Sequence, residues 1–234
     1  MSGIFEALDA TWPAASLHRA GPWSVREGRG GGQRVSSAST TEDGAEALIG
    51  IAEAAHTAIG QPWLFRLRGG QDRLDRALCL QNYRIIDPVV IYAAPAALLT
   101  GDPPAPLSAF TLWPPLAAMK DVWADGGIGP ARLAVMDRAA GAKTAILGRA
   151  GDRVAGAGFV AIHGDIAVVH ALHVLPGQRR KGLARNLMRA AAHWATAQGA
   201  NQLAVAVTTA NTGANALYLA LGMTIVDQYH YRVK

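Results

Sequence analysis

The run Val174-Leu175-Pro176-Gly177-Gln178-Arg179-Arg180-Lys181-Gly182-Leu183-Ala184 is built like a seat for a compact anion. An apolar strand pattern ends at Val174, Pro176-Gly177 breaks it, three cations follow, and a helical pattern starts at Leu183. Amides in such a loop and in the first helical turn have no intrahelical acceptor, and the helix dipole adds positive potential at the same place. A pyrophosphate suits that spot. Gly182 lets backbone approach a ligand because no Cβ intervenes, and Ala184 keeps the first turn small. Arg179, Arg180 and Lys181, with Arg185 and Arg189 behind them, raise local anion affinity without a fixed contact geometry. Further on, Asn211 and Tyr218 stand seven residues apart, so a helix turns both to one side. His170 and His173 lie on the strand before the loop. Three residues apart on a strand, they point to opposite faces and make a poor metal pair, and no histidine cluster has zinc spacing, so no metal is expected.

The elements that hold these residues are legible from period and punctuation. Lys143–Gly148, Gly156–His163 and Ile166–Val174 read as strands separated by glycine turns. Leu183, Leu187, Ala190, Ala191 and Trp194 recur at helical spacing, and Gly199 stops that helix. Leu203–Thr208 is a strand, Asn211–Leu221 a helix ended by Gly222, and Thr224–Val233 a last strand. The order β-β-β-α-β-α-β predicts a mixed α/β layer fold. The first half repeats part of it: helix Ala45–Ile59 ending at Gly60, strand Trp63–Arg68, helix Asp72–Asn82. Laying Gly60 on Gly199 puts Leu48 on Leu187 and Leu78 on Leu217, which predicts a duplication. The Pro- and Ala-rich stretch from Ala94 to Pro115 reads as a linker, giving a division at 1–93, 94–115 and 116–234. In this alignment Thr41-Glu42-Asp43 falls on Arg180-Lys181-Gly182, and its carboxylates would repel a pyrophosphate. The first half is therefore expected to be a degenerate copy. Gly28-Arg29-Gly30-Gly31-Gly32, between the strand-like runs Trp23–Glu27 and Gln33–Ser39, reads as a hairpin turn rather than a second phosphate loop.

Arg179-Arg180-Lys181-Gly182-Leu183-Ala184 resembles the Arg/Gln-x-x-Gly-x-Gly/Ala signature of the GNAT acetyltransferase superfamily. Asn211, Ala214 and Leu217-Tyr218-Leu219-Ala220-Leu221-Gly222-Met223 resemble its Asn-x-x-Ala-x-x-Leu-Tyr-x-x-x-Gly-Phe segment, with Met223 in place of Phe. The resemblance spans Lys143 to Lys234. It implies the GNAT fold, a mixed sheet flanked by helices that splays after the strand Ile166–Val174, with a partial N-terminal repeat. It implies acetyl-CoA as co-substrate, with pantetheine along Leu172, His173 and Val174, chiefly on the main chain of Leu172 and Val174. Arg179, Arg180, Lys181, Gly182, Leu183 and Ala184 would hold the pyrophosphate, with Asn211 beside the cofactor. The implied reaction is acetyl transfer by direct attack of a primary amine. A phenol with pKa about 10 keeps its proton at neutral pH, so Tyr218 is the candidate acid for the departing thiolate. His170 is the candidate base; it is expected to share a face with Leu172 and Val174, and His-x-Leu-x-Val is similar to the arylalkylamine acetyltransferase type. Water is the alternative base.

Composition narrows the rest. The chain has 234 residues, 50% hydrophobic and 17% charged, with a net charge of +5, enough to bury a core. The basic residues cluster locally rather than along one face, which argues against nucleic acid. No apolar run spans a membrane, the start lacks a signal-peptide pattern, and Cys79 alone cannot form an intrachain disulfide; a cytoplasmic protein is expected. The acceptor is expected to be a small-molecule or peptide amine. By the same resemblance, Trp113, Trp123 and Ala124–Gly129 lie where the family builds its acceptor wall, the glycines forming either a mobile loop or a helix-to-strand turn. A homodimer stays open. The rival function is a catalytically silent, CoA-binding sensor or assembly module.

Overall fold

Runs rich in β-branched and apolar residues, cut by glycine turns, become strands, and the three- and four-residue apolar spacings become helices. A computed structural model describes residues 3–101 and 103–234. The first half contains α1 (Ile4–Thr11), β1 (Ser16–Ala20), β2 (Trp23–Glu27), β3 (Ala38–Ser39), α2 (Ile49–Ala58), β4 (Leu64–Arg68), α3 (Asp72–Leu80) and β5 (Arg84–Pro95). Then come β6 (Ala109–Leu112), α4 (Ala117–Asp125), α5 (Pro130–Arg138), β7 (Lys143–Ala150), β8 (Arg153–His163) and β9 (Ile166–Val174). The chain finishes with α6 (Leu183–Ala197), β10 (Gln202–Thr208), α7 (Thr212–Ala220) and β11 (Thr224–Val233).

The strands form one mixed sheet in the order β1-β2-β3-β4-β11-β5-β10-β9-β8-β7-β6. Without the edge strand β6 the order is palindromic: exchanging β1–β5 for β7–β11 and reversing it returns the same sequence. Pairing obeys the same symmetry. β3 and β4 are parallel, as are β9 and β10, and each half's fourth strand pairs antiparallel with the other half's last strand. β5 and β11 meet in the centre. The stretch 94–115 is not a free linker. It holds the end of β5, a 3-10 turn at Ala96–Leu99, and β6, which pairs with β7 from Ala109↔Gly148 to Leu112↔Ala145. Its Asp102 lies outside the described residues.

Helix α6 lies on one face of β7–β9, burying Leu183, Leu187, Ala190 and Ala191 at the predicted spacing. It sits close because Gly148 and Gly156 stand beneath it; a Cβ on either would come 3.0 Å from Leu187 methyl groups. Helices α1 and α4 cover the other face. Helix α1 carries Asp9 to a cluster in which Arg66 donates to both carboxylate oxygens, at 2.6 and 2.8 Å, and Arg26 donates at 2.7 Å. The Arg66 side chain is fully buried. Replacing Asp9 by Ala would leave two guanidiniums without their counter-charge, and should destabilise the fold by about 3–5 kcal/mol, read as a lower urea midpoint. A change under about 0.5 kcal/mol would show that the cluster is solvated.

Three local expectations are corrected. Gln33–Ser39 is not one strand: Gln33–Val35 is a 3-10 turn and only Ala38–Ser39 pairs with β2. Ala124–Gly129 turns from helix α4 into helix α5, not into a strand. His170 does not share a face with Leu172 and Val174. β9 carries a bulge, where Phe159 faces His170 and Ala157 faces His173, with Ala171 at φ 50°. The extra residue reverses the alternation. Leu172 and Val174 pack towards α6, while both histidines turn to the α1/α4 face. The Trp123 indole pins the bulge by donating to the Ala171 carbonyl at 2.8 Å.

Candidate functional site

β9 and β10 pair only from Ile166↔Gln202 to Val169↔Val205, and both strands then run on apart. A cavity of ≈ 350 Å³ opens in the fork, within the size range of small-molecule sites. Its walls include Val169–Leu172 and Val205–Thr208, with Asn211 and Tyr218 from the α7 side and Trp12 and Arg34 from the first half. The Leu175 amide bonds the Ala155 carbonyl on β8. Strand alternation then directs the main-chain groups of Val174 and Leu172 away from β8, towards the fork.

The loop after β9 ends in two left-handed residues, Arg180 at φ 63° and Gly182 at φ 82°. Such turns gather amides into an anion-binding concavity. Among the described residues, the amides from Arg180 to Arg185 donate no hydrogen bond; the first helical bond runs from Asn186 to the Gly182 carbonyl, 3.1 Å. The flanking cations brace the loop. Arg179 Nε donates to the Val174 carbonyl at 3.0 Å, and Lys181 Nζ reaches the Gly177 carbonyl at 3.0 Å and Gln178 Oε1 at 3.2 Å. Arg180 is exposed. Two of the three cations therefore shape the backbone that presents the amides, and the Val174 carbonyl is already occupied by one of them.

Tyr218 is 3% exposed and packs its ring on Tyr92. Its hydroxyl has no hydrogen-bond partner among the described residues, and burial pushes the phenol further up from its usual pKa. Asn211 caps α7, accepting from the Ala214 amide at 3.1 Å. One helical turn on, Asn215 donates to the Thr208 carbonyl at 3.0 Å and accepts from the Tyr92 hydroxyl at 3.1 Å, which ties β5 to the end of β10. Its four-residue spacing from Asn211 was the available signal, and sequence reasoning passed over it. It also missed Tyr229 and Tyr231, which the exchanged strand β11 carries to the cavity, and Trp12 and Arg34, which reach it from the first half.

His170 is 7% exposed, stacked on Trp12 at 5.0 Å between ring centroids. Arg34 Nη1 lies 3.2 Å from its Nδ1, and Thr11 Oγ1 lies 2.9 Å from its Nε2. Arginine can only donate, so Nδ1 is the acceptor and Nε2 carries the proton. The Thr11 hydroxyl donates its own hydrogen bond to the Ala7 carbonyl, 2.6 Å away. This imidazole has no lone pair free for a substrate. Burial, then the nearby Arg34 charge, hold its pKa well below the usual value. His173 faces away from the cavity, bonded to the Asp125 carboxylate at 3.0 Å, with its ring against Gly126, where a Cβ would lie 2.6 Å from Nδ1.

The His170 environment has a thermodynamic signature. The folded state keeps it neutral, whereas the unfolded chain protonates it below about pH 6.5. The unfolded state then binds more protons, so stability is fully present above that pH and is lost as pH falls. His56 has a depressed pKa as well, first from burial. Melting temperatures should decline from pH 7 to pH 5, and His170→Gln should flatten the decline by at most about 1.4 kcal/mol per pH unit. An identical slope in the variant would mean that His170 titrates normally.

Residues 117–223 match the model of the acetyltransferase (GNAT) family. They form a GNAT acetyltransferase domain. The chain is 25% identical over 240 residues to YobR of Bacillus subtilis (strain 168), described as an uncharacterized N-acetyltransferase, covering 96% of this chain and 95% of that protein. A GCN5-related N-acetyltransferase from Kribbella flavida superposes with a TM-score of 0.74 at 18% identity, over 99% of this chain and 94% of that one. A tandem GNAT protein from the clavulanic acid biosynthesis pathway superposes with a TM-score of 0.62 at 12% identity, over 95% and 84%. These structural likenesses extend the GNAT fold across both halves. Among the described residues, no group of three or more His, Cys, Asp or Glu side chains could hold a metal, and no helix is long and apolar enough to cross a membrane.

Proposed function

We propose that this GNAT N-acetyltransferase uses acetyl-CoA and transfers the acetyl group directly to a primary amine bound in the forked cavity. The observation that carries the reading is that the strand lining the fork, β9, leads directly into the loop whose amides 180–185 are unpaired among the described residues, with the Tyr218 hydroxyl likewise unbonded at the fork. The residues fit the cofactor. The amides suit its diphosphate, and the main chain of Leu172 with the Val174 amide suits pantetheine lying as an added strand. Acetyl-CoA supplies a thioester carbonyl open to attack. Tyr218 would donate its proton towards the sulfur as the N–C bond forms and the C–S bond breaks, and would recover one from the water that takes the amine proton. The proton lost by the amine passes to water in the cavity, because His170 has no free acceptor. His170 and Arg34 then form a fixed wall for the amine.

The palindromic strand order and the matched helices support two copies of one ancestral unit, divided near 93 and 116. In the first copy Thr41-Glu42-Asp43 stands where the second has its loop, so each chain holds a single CoA. Mixing the protein with acetyl-CoA and a panel of primary amines, and following thiol release, tests the assignment. Amine-dependent thiol is expected. CoA binding without thiol from any amine would make the protein a silent sensor instead.

A further inference from the structure

Several guanidiniums gather behind the cavity, and among the described residues only one carboxylate is hydrogen-bonded to any of them. Arg26 and Arg66 share Asp9, and Arg68 lies over the Phe5 ring at 4.1 Å. Arg34 differs from these three because it reaches the cavity wall. Its Nη1 donates to His170, a neutral acceptor, and its Nε is buried with no acceptor among the described residues. Arg132 stands exposed at the same cavity without an ion pair among the described residues. Asp87, exposed on the same lining, pairs with neither arginine.

A half-buried guanidinium with an unfilled donor, whose nearby carboxylate Asp9 is already bonded to two other guanidiniums, is costly unless something completes it. The group that completes it best is a planar carboxylate, which accepts from guanidinium donors in a fixed geometry. Arg34 also touches the residue at the mouth of the β9/β10 fork, so an anion held there sits beside the place where the proposed reaction occurs. The His170–Thr11–Ala7 chain of hydrogen bonds fixes the ring that positions Arg34.

We infer that the acceptor is an amine bearing a carboxylate, and that Arg34 is the specificity-determining residue that receives it. This deepens the acceptor side of the proposed function and rests on that reading. It excludes purely cationic amines, such as polyamines, as good acceptors, because they bring more positive charge to Arg34. Trp12, Tyr229 and Tyr231 give the cavity aromatic surface for the rest of the molecule.

Two arms test it. In the first, each of the common amino acids is compared with its own carboxamide as acceptor, with acetyl-CoA, by thiol release. The carboxylate form should win by about 100-fold in kcat/KM, the scale of a desolvated charge pair. Arg34→Gln should erase the preference, bringing the acid-to-amide ratio of kcat/KM close to one. Arg34→Lys keeps the charge but loses the planar fork, and should retain a preference of about tenfold. In the second arm, N-acetylated amino acids and their amides are titrated into the protein with and without CoA, using the fluorescence of the cavity tryptophan Trp12. Acid-selective binding that Arg34→Gln removes supports the site, even should CoA fail to bind; that failure would count against the acetyl-CoA reading alone. Equal binding of acid and amide, or a preference untouched in both Arg34 variants, overturns the inference. Thermal melting establishes that each variant is folded, and Arg34→Lys alone decides the matter should Arg34→Gln not fold.

Discussion

Gly182→Glu is expected to abolish detectable coenzyme A binding while the protein remains folded. Gly182 sits at φ 82°, and a Cβ there meets no atom within 4 Å. The fold therefore loses only the cost of a left-handed L-residue, about 1–2 kcal/mol. The ligand loses far more. A carboxylate placed among the amides of 180–185 competes for their donors and repels a diphosphate. At about 4 Å and an effective dielectric near 20, one like-charge contact costs about 4 kcal/mol, on the order of a thousandfold in affinity. Gly182→Ala is the control: it adds the backbone strain without the charge, and should weaken binding by about tenfold or less. Calorimetry on both variants, with melting curves beside it, separates charge from strain. Equal binding by Gly182→Glu and the native protein would take the diphosphate away from this loop.

Tyr218→Phe should lower kcat by about 100-fold or more, the usual range for a lost general acid, and leave CoA affinity within about twofold. The separation follows from the geometry. The ring is packed on Tyr92 and would stay, so the cavity keeps its shape. The hydroxyl has no protein partner among the described residues, so its removal orphans no other group and costs the fold little. Burial disfavours the phenolate, so the hydroxyl keeps its proton at neutral pH and is available as a donor to the departing sulfur. Steady-state kinetics and calorimetry on the same preparation decide it. Unchanged turnover would leave the thiolate to water and remove Tyr218 from the chemistry.

Much of this site was legible because its signals are local. Pro176-Gly177, the cations, Gly182 and the apolar face from Leu183 lie in one short run, and each acts through its own backbone or a neighbour one turn away. The helix stops at Gly60, Gly199 and Gly222 are local in the same way, and all three adopt positive φ. What failed depended on distant partners. Alternation put His170 beside Leu172 because nothing in the sequence marks the bulge at Ala171, which is stabilised by an indole from α4. The exchange of β5 and β11 between halves is a choice among long-range pairings that local patterns do not rank. Arg34 is a long-range case too: it sits in a 3-10 turn of the first half, yet its partner is His170 of the second. Helix α1, only eight residues long, was likewise unread, although it carries Asp9 and leads into Trp12.

The most direct measurement is a calorimetric titration of acetyl-CoA into the intact protein. The account predicts saturable binding with one site per chain, since the loop at 180–185 presents unpaired amides and Thr41-Glu42-Asp43 occupies the equivalent place in the first half. No binding heat at any concentration, or two equivalent sites per chain, would contradict it.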